Sequence, residues 1–598
     1  MKFSLPSLSL TNRQVLAAGM FLLGTLFFCA LICGICFLCG GTVNGTVFPL
    51  AMVLAAAVCV ACFGGRDTVL PVVYGLIFIA VTALFSALVY DTTFDSFGYH
   101  NDIAVMLSQG WNPVTQDPPN GSIWAKHYAK LFETAGASVM ALSGNLQSIK
   151  CVNFMLLGAA LAVAYYTLAE YFSRISAGWR AAIVFVIAAN PVVIRQTVSV
   201  YNDYAVWLET VLLACSFVMM TGNRAGSRTH DSRTALPAAL PYLLLFFTFA
   251  ISINTKFTHF YYVGVECLFF AGWCAAFRRW TVLRRGVITV LAAVVAGVAI
   301  IGYNPYVLNT LHYGIPTYPL GTDAVDIMTG NTPAMFDGGN RFVNFFKSLL
   351  SVSDASWAVV NGGCTLDGIR NSYVNTMTVN GFGVLMAPML LLGLALMVLS
   401  RPKLRWWVVY LFMLVICFSF EQSWWARYIP FLWFGIVFPL VVSLVTPATY
   451  RRLRRCLCCI LVALCAVNAA VSVAATAASR LSYTAYINYI VTQQHKSGKP
   501  LLVAGVTPTM CQQLRERNVR YEEYPTVSAL PDTAALFRFF GTRTFTAVVQ
   551  LPAADYPRAH RPSATLLDRL IRFPSRRYRP TPAPAPTPAA PPIAERRL

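Results

Sequence analysis

The amino-acid sequence predicts an all-α polytopic membrane protein with about thirteen transmembrane helices, followed by a small extracytoplasmic α/β appendage. Three observations carry that prediction: an apolar composition, repeated apolar runs of membrane-crossing length, and basic residues that recur on one side. Of 598 residues, 57% are hydrophobic and 12% charged, with a mean hydropathy of +0.60. An average soluble domain is roughly 25% charged, and a soluble fold has no means of hiding so much apolar surface.

The first apolar run, 16–39, follows Lys2 and Arg13. It exceeds the roughly 7–15 residues of a signal-peptide core and no small-residue cleavage site follows, so it reads as a retained span. Runs suited to crossing a bilayer, roughly 17–25 residues each, fall near 15–40, 46–63, 69–90, 150–172, 180–194, 204–222, 236–253, 258–277, 284–305, 381–400, 405–420, 427–446 and 456–478. The fifth and eleventh are short and read as tilted or partly re-entrant. With the N-terminus in the cytoplasm, the inner loops hold Arg66; Arg174 and Arg180; Arg224, Arg228 and Arg233; Arg278, Arg279, Arg284 and Arg285; Arg401, Lys403 and Arg405; and Arg451, Arg452, Arg454 and Arg455. That is the positive-inside pattern, weakest at Arg66 because Asp67 adjoins it. The net charge of +21 therefore marks sidedness rather than nucleic acid.

Apart from a turn at 41–45, the opposite loops are 91–149, 195–203, 254–257, 306–380 and 421–426, and they carry most of the acidic residues of the membrane region. Most of the 17 cysteines lie in apolar runs and count as small hydrophobes. Cys364 and Cys511 fall in long segments outside the bilayer, where a pairing is conceivable. The membrane region is assigned to 1–480. A small α/β unit follows at 481–573, with strands at 500–506 and 544–551 and helices at 508–517 and 532–540. The Pro-, Ala- and Arg-rich tail at 574–598 is expected to be disordered. No internal repeat is present.

The first outer loop opens with Asp91-Thr92-Thr93-Phe94-Asp95-Ser96-Phe97-Gly98-Tyr99-His100-Asn101-Asp102, three carboxylates and an imidazole beside the membrane. Ile103, Met106 and Leu107 are at helical spacing, which predicts a helix lying along the interface and ending near Gly110. Asp95 is either the cap of that helix or a reactive carboxylate, and spacing leaves both open. Asp203 leads straight into the sixth span, where an acidic group is costly unless paired or functional. Lys256 lies in the next short outer loop and Arg427 follows Trp424-Trp425. Either cation is open to a bland reading, snorkelling to headgroups.

Taken together, Asp95-Ser96 with Tyr99-His100, Asn202-Asp203, the Lys256 loop and Trp425-Ala426-Arg427-Tyr428 resemble integral-membrane glycosyltransferases of the GT-C class, a likeness extending over most of residues 70–435. It takes in Asn304-Pro305-Tyr306, Gly314-Ile315-Pro316 and Tyr318-Pro319-Leu320, similar to that class's substrate-covering segment. The resemblance implies a GT-C-like membrane fold and transfer of a sugar from a polyprenyl-phosphate donor to a cell-envelope acceptor (glycan, lipid or protein) outside the cytoplasm. It implies Asp95 as the base that takes the acceptor proton, and Asp203 as the second acidic position, arranging acceptor, metal or a basic partner. Lys256 and Arg427 are implied as the cations facing the leaving phosphate. Asp91, Tyr99, His100, Asp102 and Tyr428 complete the substrate-binding candidates, with His127 more distant. Asp95-Ser96 stands where some branches carry adjacent carboxylates, which leaves a divalent metal, Mg or Mn, open. The implied location is the inner (plasma) membrane, with the C-terminus extracytoplasmic. Two other readings are a transporter or flippase of a polyprenyl-linked glycan and a non-catalytic envelope scaffold.

Overall fold

The computed structural model describes residues 10–552 apart from 92, 94, 223–236, 323–335, 337, 351–380, 448–449, 527–528, 530–533 and 541–546. Cys364, the basic group Arg224, Arg228 and Arg233, and the tail at 574–598 lie outside the described residues. The chain is mostly helical. In order it forms α1 (Asn12–Leu38), α2 (Val47–Phe63), α3 (Gly65–Ala87), α4 (Asn101–Ser108), α5 (Ile123–His127), α6 (Leu131–Ser143), α7 (Cys151–Tyr171), α8 (Ala177–Ala188), α9 (Pro191–Gln196) and α10 (Asp203–Thr221). There follow α11 (Leu240–Thr255), α12 (Phe257–Ala276), α13 (Trp280–Ala296), α14 (Leu308–Tyr313), α15 (Arg341–Leu350), α16 (Met386–Ser400), α17 (Leu404–Val415), α18 (Phe434–Val445) and α19 (Arg451–Ser497). The last described segment is β1 (Leu501–Ala504), α20 (Pro508–Glu516), β2 (Tyr521–Tyr524), β3 (Ala534–Phe540) and β4 (Ala547–Pro552).

Among the described residues six stretches are long and apolar enough to cross a membrane: 12–38, 65–87, 146–171, 203–221, 280–301 and 451–496. Among the described residues seven further apolar helices are shorter. Helix α12 belongs to neither group, because Glu266, His259, Tyr261 and Tyr262 lower its hydropathy. Apolar side chains left exposed along α3 and α13, with Leu84 69% and Leu291 60% exposed, are the surface a bilayer would cover.

Helix α1 begins with a capping box: Thr11 Oγ1 accepts from the Gln14 amide at 3.2 Å and Gln14 Oε1 accepts from the Thr11 amide at 3.0 Å. It is apolar all round, and such a helix belongs in the middle of a bundle; α2, α3, α6, α7 and α11 pack around it. At its start Arg13 pairs with Asp67 at 3.1 Å, while Asn12 donates to Glu170 at 2.9 Å and Arg174 to the Val445 carbonyl at 3.2 Å. These contacts define one end of the bundle. The segment following α3, with the starts of α10 and α12, forms the other.

At that second end the structure corrects one expectation. Helix α4 does not lie along an interface with a wet face: Ile103, Ala104, Val105, Met106 and Leu107 are all buried. Ile103, Met106 and Leu107 join the main core, whereas Ala104 and Val105 pack with Met140, Leu146, Ile149 and Val200. The 3.6-residue pattern identified the helix but not the second layer that covers its other side. Helix α13 continues through two wide turns into α14, crossing Gly302 and Asn304. A side chain at Gly302 would place its Cβ 2.4 Å from Asn254 Oδ1, so this crossing requires glycine. Asn304 then donates to the Pro113 carbonyl at 2.7 Å and accepts from Lys130 Nζ.

The strands form one sheet in the order β2-β1-β4-β3, with β1 parallel to β2 and the other pairs antiparallel. The helix expected at 532–540 is instead β3, hydrogen-bonded to β4. Its Leu-Phe-Arg-Phe-Phe run is rich in aromatics that favour a pleated surface. Strand β2 had no counterpart in the sequence reading.

Candidate functional site

Four charged side chains meet where α10 and α12 begin. Asp203 is the first residue of α10, and Gln196, at the end of α9, holds it: Gln196 Nε2 donates to Asp203 Oδ2 at 3.0 Å and its Oε1 accepts from the Tyr204 amide at 2.7 Å. Lys256, in extended backbone between α11 and α12, reaches across to donate to Asp203 Oδ1. Asn202 steadies the junction by donating to the Thr255 carbonyl at 2.8 Å. From the loop before α18, Arg427 donates through Nη1 to Asp95 Oδ2 at 2.8 Å, and its Nε lies 3.8 Å from Asp203 Oδ2.

All four are at most 7% exposed, so two carboxylates and two cations form a continuous chain, Asp95, Arg427, Asp203, Lys256. Neither cation snorkels. Nor does Asp95 cap the following helix, since its side chain makes no cap hydrogen bond. Burying charge is expensive unless each group is paired, and here each charge has an opposite neighbour.

Aromatic rings enclose the chain. Arg427 lies 5.4 Å from the Tyr201 ring centre, 5.5 Å from Trp425 and 5.2 Å from Tyr428, and Lys256 Nζ lies 4.5 Å from Tyr428. Such cation–π contacts replace part of the lost hydration. Tyr201 also accepts from the Asp95 amide at 3.1 Å. Tyr99 stands against His100, Trp124 and Tyr128. Burial, and next the Asp95 charge, push the Tyr99 and Tyr201 phenols well above the ordinary range, so both remain neutral hydrogen-bonding groups.

The other candidates occupy different positions. His100 pairs with Glu133, both 1% exposed. Asp102 accepts from the amide and hydroxyl of Thr509 at 2.9 and 2.5 Å, tying α4 to α20. His127 is bonded to Asn309 at 2.8 Å and packed against Tyr313 and Tyr318. Asp91 is fully buried: it accepts from the Thr93 amide and hydroxyl at 3.0 and 2.8 Å and from the Val200 amide at 2.8 Å, and it faces Arg480 at 3.4 Å. Asp91 thereby joins the loop carrying Asp95 to the loop carrying Tyr201. Gln196, Tyr201 and Glu133 received no role from the sequence, because only the tertiary fold brings them to their partners.

Burial alone would raise the Asp91 carboxyl, but Arg480, Lys150 and its hydrogen bonds hold it below the ordinary range. Its stabilisation is therefore complete above the unfolded carboxylate pKa of about 4 and is lost as pH falls through the lower folded value. We expect Asp91→Asn to cost roughly 3–5 kcal/mol at neutral pH. Thermal unfolding in detergent should show the variant less sensitive than the parent to acidification below about pH 4.

Among the described residues no three of His, Cys, Asp and Glu converge, and both carboxylates of the charged chain already face protein cations. Compared with known proteins, the chain matches no family model, no curated protein and no solved structure, so its own geometry carries the functional argument.

Proposed function

We propose that the chain is a GT-C-type, inverting membrane glycosyltransferase that moves a sugar from a polyprenyl-phosphate donor to a cell-envelope acceptor outside the cytoplasm. The observation that supports this most is the buried alternation of Asp95, Arg427, Asp203 and Lys256 at the mouths of membrane helices. An arriving lipid phosphate competes with the two carboxylates for Arg427 and Lys256. Asp95, released to face the acceptor, takes the hydroxyl proton as that oxygen attacks the anomeric carbon. The carbon–oxygen bond to phosphate breaks, its electron pair leaves with the phosphate, and Arg427 and Lys256 meet the charge that develops. Tyr99, Tyr128 and Tyr428 supply an aromatic wall for the sugar ring. The 304–320 segment, folded over Trp124 and Tyr128, supplies the cover.

The test is transfer of radiolabelled sugar from a panel of polyprenyl-phosphate donors by the purified full-length protein in lipid nanodiscs. Label arriving in an acceptor with at least one donor is the expected result. Lys256→Gln should lower that rate by roughly 10²-fold, the typical loss when one transition-state charge partner is removed. The transporter reading draws on a separate feature. Glu209 is buried within the membrane-length helix α10 and paired to His259 of the neighbouring α12, which also buries Glu266, and ionisable groups inside membrane helices often line translocation paths. Movement of a labelled glycan lipid across proteoliposomes without any transfer would favour that alternative.

A further inference from the structure

Beside the charged chain lies a second group of cations with a different balance. Arg195 lies in the last turn of α9, Arg480 lies on α19, which α9 packs against, and Lys150 ends the turn before α7. All three are at most 9% exposed. Arg480 pairs with Asp91, and Lys150 donates to the Val89 carbonyl and to Gln147 at 2.8 Å. Arg195 has no such arrangement. Among the described residues it makes no ion pair, and its Nη1 is sealed from solvent without a hydrogen bond. Burial, and then the like charge of Arg480, push its guanidinium down to about 9, which leaves it charged at neutral pH. An arginine withdrawn from water without an anion is among the least favourable arrangements a fold can hold.

We infer that Arg195, with Arg480 beside it, is an anion-binding site for a phosphate group, distinct from the charges assigned to the transfer reaction. Arginine is suited to this ligand because its planar fork presents paired donors to phosphate oxygens. The depth is appropriate: Arg480 is about 44 Å along α19 from Arg451, beyond a hydrocarbon core of about 30 Å, at the level of headgroups. Two sources share the chemistry, an anionic phospholipid headgroup and a free phosphate. The site reaches the Asp95 loop by two routes, through Asp91, which links Arg480 to Val200, and through Tyr201, the tyrosine neighbouring Arg195. The inference does not depend on the transfer reading.

Thermal unfolding of the purified full chain in detergent tests it, with and without phosphatidylglycerol, phosphatidylcholine or inorganic phosphate. The parent is expected to gain a few degrees with phosphatidylglycerol, with inorganic phosphate, or with both, and not with phosphatidylcholine. A response to phosphatidylglycerol alone assigns a lipid headgroup; a response to inorganic phosphate as well assigns the phosphate group itself. Arg195→Gln and Arg195→Met should not respond. Without any anion, both should unfold a few degrees higher than the parent, because they remove an uncompensated buried charge. A residue with a merely structural role would give the opposite sign. The inference is overturned if no anion shifts the parent, if parent and variants shift alike, or if both variants unfold lower than the anion-free parent.

Discussion

Replacing Asp95 by asparagine is expected to lower sugar transfer by roughly 10²–10⁴-fold, the range for removing a positioned general base, while leaving the protein folded. The substitution preserves shape and an oxygen that Arg427 can still donate to, and the Asp95 backbone amide keeps its bond to Tyr201. Arg427 retains Asp203 within 3.8 Å, but Asp203 then faces two cations, so the variant should be less stable than the parent while still folding. A loss of rate in a variant that still unfolds cooperatively, without a rise in donor KM, would locate the defect in proton removal. Equal rates for parent and variant would exclude Asp95 as the base and turn attention to Asp203, the other carboxylate of the charged chain. Asp91 and Asp102 are poorer replacements, because their oxygens are already occupied by Thr93, Val200 and Arg480 in one case and by Thr509 in the other.

How far the sequence foresaw this arrangement depends on the range of the signal. Asp203 could be read as unusual because it opens an apolar helix, a fact its immediate neighbours reveal. Lys256 and Arg427 were legible as charges next to spans, but whether they snorkel or pair depends on helices far away in the chain. Asp95 and Arg427 are 332 residues apart, and nothing local specifies their contact. The cluster Asp91, Asp95, His100 and Asp102 shows the converse. Four ionisable groups within twelve residues suggested one site, yet each has different partners: Arg480, Arg427, Glu133 and Thr509 respectively. On a helical segment adjacent residues point in different directions, so closeness in sequence separates side chains as readily as it gathers them. Periodicity likewise identified α4 but not the layer over its second face, and β3 was misread because a short apolar run fits either period.

The largest effect on stability is expected at Arg427. Arg427→Met leaves Asp95 and Asp203 sharing Lys256 alone, a net buried negative charge, and should cost roughly 3–5 kcal/mol. Transfer should fall by about 10²–10³-fold through loss of a charge that meets the departing phosphate. Arg427→Lys keeps the charge but not the reach, because one ammonium cannot hold Asp95 and Asp203 from the two separate nitrogens that Arg427 uses. The double variant Asp95→Asn/Arg427→Met separates stability from chemistry. It removes one charge of each sign, so most of the lost stability should return, whereas transfer should remain at the level of the poorer single variant. Restored stability with absent transfer would establish the four residues as one electrostatic unit that also performs the reaction. If the two single-variant costs simply add in the double variant, Asp95 and Arg427 are not coupled, and an Arg427→Met protein that transfers sugar at the parent rate would remove the guanidinium from the leaving-group step.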